Sequence, residues 1–70
     1  MNILDLKAEI ARCSLTIPKL AEIIGMSKKT LYSRISGETS FKQNEIVEIS
    51  HALHLSENQI FHIFFAEQVS

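Results

Sequence analysis

Residues 16–37, TIPKLAEIIGMSKKTLYSRISG, leave the backbone few choices, because they encode two short helices joined by one tight turn. Leu20, Ala21 and Ile24 cluster at helical spacing, and Gly25 then supplies a left-handed conformation at no steric cost where the first helix must stop. Met26 continues the turn. Ser27 has the chemistry of an N-cap, with a hydroxyl able to accept from a free amide near Thr30, and Met26 and Leu31 flank it as a hydrophobic staple. The second helix therefore begins at about Lys28 and is stopped by Gly37. On a helical wheel Leu31 and Ile35 point inward, which turns Lys29 and Ser33 outward, with Lys28 and Tyr32 on one flank and Thr30 and Arg34 on the other.

The remainder of the chain is read the same way. A first helix is expected from about Ile3 to Arg12, with Asn2 as cap and Ile3, Leu6, Ile10 and Cys13 as one apolar stripe. The next begins near Thr16, where Pro18 is tolerated because a first-turn residue has no helical partner for its amide. After the connector 38–41, a fourth helix carries Ile46, Ile49, Ser50 and Leu53 along one side, and Phe41 and Ile46 clamp its entry. Ser56 with Gln59 forms a capping box for a fifth helix, with Leu55 and Ile60 as its staple. No segment alternates like a strand, and there is no repeat or linker. The expectation is an all-α, compact five-helix fold forming a single domain over residues 1–70, with the two-helix unit proper at about 16–36.

Chain length and composition agree. Seventy residues allow one small core. An apolar content of 46% with only two glycines and one proline favours a folded helical domain over a disordered segment. No apolar run approaches the roughly 18 residues of a bilayer span, and the N-terminus does not read as a signal peptide, so a cytoplasmic protein is expected. The lone Cys13 is expected to be a buried thiol.

The motif L-A-x-x-I-G-M-S-x-x-T-L, read on Leu20 to Leu31, resembles the helix-turn-helix of phage repressors and Cro-type regulators. The stretches GETSF, EIVEISHALHLS and NQIFHIFF resemble the rest of that lambda-repressor-like DNA-binding domain, so nearly the whole chain is covered. The resemblance implies a transcriptional regulator acting in a bacterial host cell, nucleoid-associated when bound, whose third helix enters the major groove of a double-stranded operator while the second lies across the backbone. It places Lys28, Lys29 and Ser33 where base-reading side chains project, after the Ser27 cap. Thr30 and Arg34 fall where a phosphate contact is expected, Arg34 by running its stem along the core edge with the guanidinium free. Tyr32 either joins the reading face or packs over the connector with its hydroxyl in water.

The chain departs from the family at the start of the second helix, where Ile17 and Pro18 stand in place of a phosphate-binding glutamine; Lys19 remains near that helix end as an alternative phosphate ligand. The formal charge of −1 is unfavourable for binding a polyanion, but from Lys28 to Lys42 the chain holds Lys28, Lys29, Arg34 and Lys42 against Glu38 alone. From residue 43 onward there is no Lys or Arg, while Glu45, Glu48, Glu57 and Glu67 make that part acidic. The molecule is therefore expected to be polarised, with one face suited to nucleic acid.

Surplus apolar residues point to a second class of partner. Ile17 and Ile23 exceed what one buried stripe of the second helix needs, and of Ile60, Phe61, Ile63, Phe64 and Phe65 only Ile60, Ile63 and Phe64 form an inward set. Ile17, Ile23, Phe61 and Phe65 are thus candidates for a homodimer contact or for gripping a phage repressor protein, as antirepressors of the same frame do. A dimer would place two reading helices about 34 Å apart on a palindromic site. His51, His54 and His62 have no second ligand cluster at metal-binding spacing, and Glu48 near them has no nucleophile or pocket, so neither metal, cofactor nor catalysis is expected.

Overall fold

Each helix in the computed structural model, which describes residues 1–65, begins where a side chain takes over an otherwise unbonded amide. In α1 (Ile3–Arg12), Asn2 Oδ1 accepts from the Asp5 N–H at 3.1 Å. In α2 (Ile17–Ile24), Thr16 Oγ1 accepts from the Lys19 N–H at 3.3 Å. In α3 (Lys28–Ser36), Ser27 Oγ accepts from the Thr30 N–H at 3.1 Å. The fourth helix, α4 (Gln43–Leu53), is capped from inside, Glu45 Oε1 reaching back to the Lys42 N–H at 2.8 Å. The short α5 (Glu57–Ile60) carries the reciprocal Ser56 and Gln59 capping box. No strand occurs among the described residues, so the fold is all-α.

Four connections turn through a left-handed residue. Gly25 (φ 73°) and Gly37 (φ 88°) do so without a side-chain penalty, whereas Ser14 (φ 59°) and His54 (φ 56°) carry the strain of a Cβ in that region. At Gly25 the Met26 N–H donates to the Ala21 carbonyl at 2.9 Å and the Gly25 N–H to that of Glu22 at 3.3 Å, closing α2 tightly enough for α3 to start at Lys28, three residues after Gly25.

The core is drawn from every helical layer: Leu6 and Ile10 of α1, Leu20 and Ala21 of α2, Leu31 and Ile35 of α3, Ile49 and Leu53 of α4, and Ile63 and Phe64 near the C-terminus. α2 packs against both α3 and α4, which fixes the elbow at Gly25 on a rigid base. The Phe41 ring meets Phe64 edge-on, with centroids 5.5 Å apart, pinning the connector before α4 to the C-terminal element.

Three expectations are corrected. The fifth helix is not regular: α5 runs directly into a π-helical turn, Phe61–Phe65. Ile63 and Phe64 of this turn are buried in the core, and the Asn2 N–H donates to the Ile63 carbonyl at 2.6 Å, tying the turn to the start of α1. The His62 ring and Asp5 carboxylate lie 2.6 Å apart at the same junction. Ile17 is not a surplus exposed group but half-buried against the core, as the first residue after the Thr16 cap. Cys13 is half-buried rather than enclosed, with its Sγ 3.6 Å from the Leu53 carbonyl. Residue Glu67, counted in the C-terminal acidity, and the end of the 1–70 domain lie outside the described residues.

Candidate nucleic-acid interface

Burial of Leu31 (0% exposed) and Ile35 (3%) fixes the rotation of α3, and everything else about its outer face follows from that rotation. Lys28, Lys29 and Tyr32 are exposed, and Thr30, Ser33 and Arg34 are half-buried along the edges. Tyr32 is 50% exposed, which places its ring at the surface of α3. The helix has no acid in its first turn, where Lys28 and Lys29 lie instead. Cations there oppose the helix dipole and cost a few tenths of a kcal/mol.

The hydroxyls at this end are organised. Ser27 Oγ accepts from the Thr30 N–H and donates its own proton to Thr30 Oγ1 at 2.8 Å. Thr30 Oγ1 is therefore left with its proton available, and a hydroxyl donor at a helix N-terminus suits an anionic oxygen. Ser27 is occupied by the cap itself and serves chiefly to hold Thr30 in place.

Arg34 departs from the expectation of a free guanidinium. Its Nε and Nη2 donate to Glu45 Oε1 and Oε2 at 2.9 and 3.1 Å, and Nη1 donates to Thr39 Oγ1 at 2.7 Å. The paired side chains are only 14% and 13% exposed. Hydrogen bonding to Arg34 holds the Glu45 carboxyl below its ordinary range, against the opposing effect of burial, and the same bond raises Arg34. Two-point Arg–carboxylate pairing has fixed geometry, so this contact locks the C-terminal half of α3 onto the first turn of α4. Arg34 also borders a groove of about 400 Å³ walled largely by Met1, Ile3, Phe41, Ile46, Phe64 and Phe65, and contributes no free charge to it. Glu45 and Thr39 were not legible as site residues, because Glu45 lies 11 residues from Arg34 and the spacing of a loop does not fix which side chains meet across it.

The other basic groups from α2 to the start of α4 divide in two. Lys28, Lys29 and Lys42 make no ion pair among the described residues, whereas Lys19 Nζ lies 3.1 Å from Glu22 Oε1. Both members of that last pair are well exposed, so it is weak and readily exchanged for another anion. Subtracting the locked Arg34 leaves Lys19, Lys28, Lys29 and Lys42 as the cations from α2 to the start of α4 that can meet a polyanion.

Apolar side chains also reach the surface. Ile23 on α2 is 50% exposed, and Phe61 and Phe65 are 55% and 50% exposed while their neighbours Ile63 and Phe64 are buried. Among the described residues no group of three His, Cys, Asp or Glu side chains is placed to hold a metal ion, and no helix is long and apolar enough to cross a membrane. No protein-family model, curated protein or solved structure matches the chain.

Proposed function

We propose that this chain is a sequence-specific double-stranded-DNA-binding transcriptional regulator of the phage Cro and repressor kind, with α3 as its major-groove reading element. The observation that carries the proposal is the pairing of Lys28 and Lys29, exposed and without ion pairs among the described residues, with the hydrogen-bonding edge of Thr30, Ser33 and Tyr32 on one face of a helix. Lysine donors match guanine O6 and N7, and Thr30 and Lys42 are suited to flanking phosphates. Regulation follows from occupancy: a bound domain excludes or positions polymerase, and no chemical step or cofactor is needed. The test is retardation of duplex fragments from the protein's own genetic neighbourhood. Lys28→Ala with Lys29→Ala is expected to abolish the shifted band at physiological ionic strength, with residual binding only at low salt, while far-UV circular dichroism stays unchanged; undiminished retardation by the double variant refutes the assigned face.

A second reading, a modulator that grips a phage repressor protein and keeps it off its operator, is favoured by the exposure of Ile23, Phe61 and Phe65. Burial of large apolar groups is insensitive to salt, in contrast to a phosphate interface. Under this reading Phe61→Ser or Phe65→Ser disrupts co-elution with the repressor, and intact co-elution by both variants removes it.

A further inference from the structure

The hydroxyl proton of Ser33 is committed. Ser33 Oγ donates to Glu38 Oε1 at 2.9 Å, and a hydroxyl has only one proton to give. The Glu38 side chain is exposed, but the backbone that carries it is held in place. After the left-handed turn at Gly37 the chain folds back over the last turn of α3, where the Thr39 N–H donates to the Ser33 carbonyl at 3.2 Å. Ser36 Oγ donates to that same carbonyl at 3.1 Å and accepts from the Glu38 N–H at 3.4 Å. Thr39 is held in turn by Arg34 at 2.7 Å, and Arg34 by Glu45. Glu38 is thus delivered to Ser33 by bonded backbone on both sides.

What Ser33 offers outward is then lone pairs alone, beside a carboxylate that is itself acceptor-only. We infer that Ser33, polarised by Glu38, is a specificity-determining residue that accepts a hydrogen bond from an exocyclic amino group of adenine or cytosine in the major groove. The inference rests on the proposed DNA reading and deepens it. A serine without such a partner donates or accepts equally well and discriminates little, so it is Glu38 that gives Ser33 a direction. Lys28 and Lys29 at the other end of α3 are donor-only, and Ser33 follows Lys29 by one helical turn, about 6 Å along the axis. The reading face therefore changes polarity along its length, from donors suited to guanine acceptors to an acceptor suited to an amino group.

The test uses the full chain. A randomised duplex library is selected with the wild-type protein and with Ser33→Ala, and the base pair that loses its preference in the variant is the pair that Ser33 contacts. In synthetic duplexes that pair is then rebuilt without its amino group, with purine in place of adenine or 2-pyrimidinone in place of cytosine. Wild-type affinity is expected to fall about three- to tenfold, the worth of one hydrogen bond, with no added loss for Ser33→Ala. Glu38→Ala, which removes the acceptor and returns the Ser33 proton, is expected to shrink the wild-type penalty while binding to the unmodified duplex persists. Indifference of the wild-type protein to amino removal, an unreduced penalty in Glu38→Ala, or no base pair altered by Ser33→Ala each overturns the assignment of Ser33. Failure of the wild-type protein to enrich any sequence overturns the DNA reading itself, and the inference with it.

Discussion

Salt dependence distinguishes the cations that can reach a polyanion from the one locked inside the fold. Each cation that displaces a counterion from B-DNA contributes about −0.9 to the slope of log K against log salt. With Arg34 bonded at three points to Glu45 and Thr39, the available set from α2 to the start of α4 is Lys19, Lys28, Lys29 and Lys42. The limiting slope for one domain is then about −3.6, which corresponds to a loss of about 150-fold between 50 and 200 mM salt. Lys28→Ala with Lys29→Ala reduces the slope to about −1.8, and the loss over the same interval to about 12-fold. Arg34→Ala should leave the slope at the wild-type value, even where weaker seating of α3 lowers affinity at every salt concentration. Fluorescence anisotropy of a labelled duplex, titrated at several salt concentrations, gives all three slopes. A slope that drops by about 0.9 in Arg34→Ala and stays constant in the lysine variant would mean that the guanidinium leaves Glu45 to meet phosphate, and would refute the division of charges drawn above.

Two further outcomes are expected. His54→Gly relieves a side chain held at φ 56° at the end of α4, and the gain of about 1 kcal/mol less the entropy cost of glycine should raise the melting temperature by a few degrees in a calorimetric scan; an unchanged or lower melting temperature would mean that the imidazole contributes more than its backbone costs. Because the folded-state pKa of Glu45 lies below its unfolded value, the Arg34 clamp contributes fully above the ordinary carboxyl value of 4.5 and is lost as pH falls through the depressed one. Glu45→Gln should therefore be less stable at neutral pH and show a shallower decline on acidification, and parallel acid limbs for variant and wild type would remove the clamp from the stability of the fold.

Helix boundaries were legible wherever the chain marks them with capping chemistry. Asn2, Thr16, Ser27 and Ser56 each announce a start, and Gly25 and Gly37 each announce an end, so the limits of α1 and α3 agree with the sequence expectation. The close of α4 carried no such mark, because His54 occupies a conformation that glycine usually signals. The run FHIFF has the periodicity of an ordinary helix, with Ile63 and Phe64 inward in either geometry, so nothing in its spacing marks the π turn. The outward set of Lys28, Lys29 and Tyr32 was readable from the wheel. The fate of Arg34 and Ser33 was not, since both depend on how the connector folds back after Gly37 and delivers Glu38, Thr39 and Glu45 to them. Side chains on a regular helix can be placed from spacing alone, whereas their hydrogen-bond partners across a loop cannot.

The central claim, that the outer face of α3 is where this molecule meets DNA, is tested most directly by amide chemical-shift mapping of the isotopically labelled chain against a short mixed-sequence duplex at low salt. The expected result is that the largest shifts fall on Ser27 to Ser33, with Lys42 following and Phe61 and Phe65 unmoved. Shifts concentrated at Phe61 and Phe65, or none at all under conditions where the protein stays folded, would contradict it.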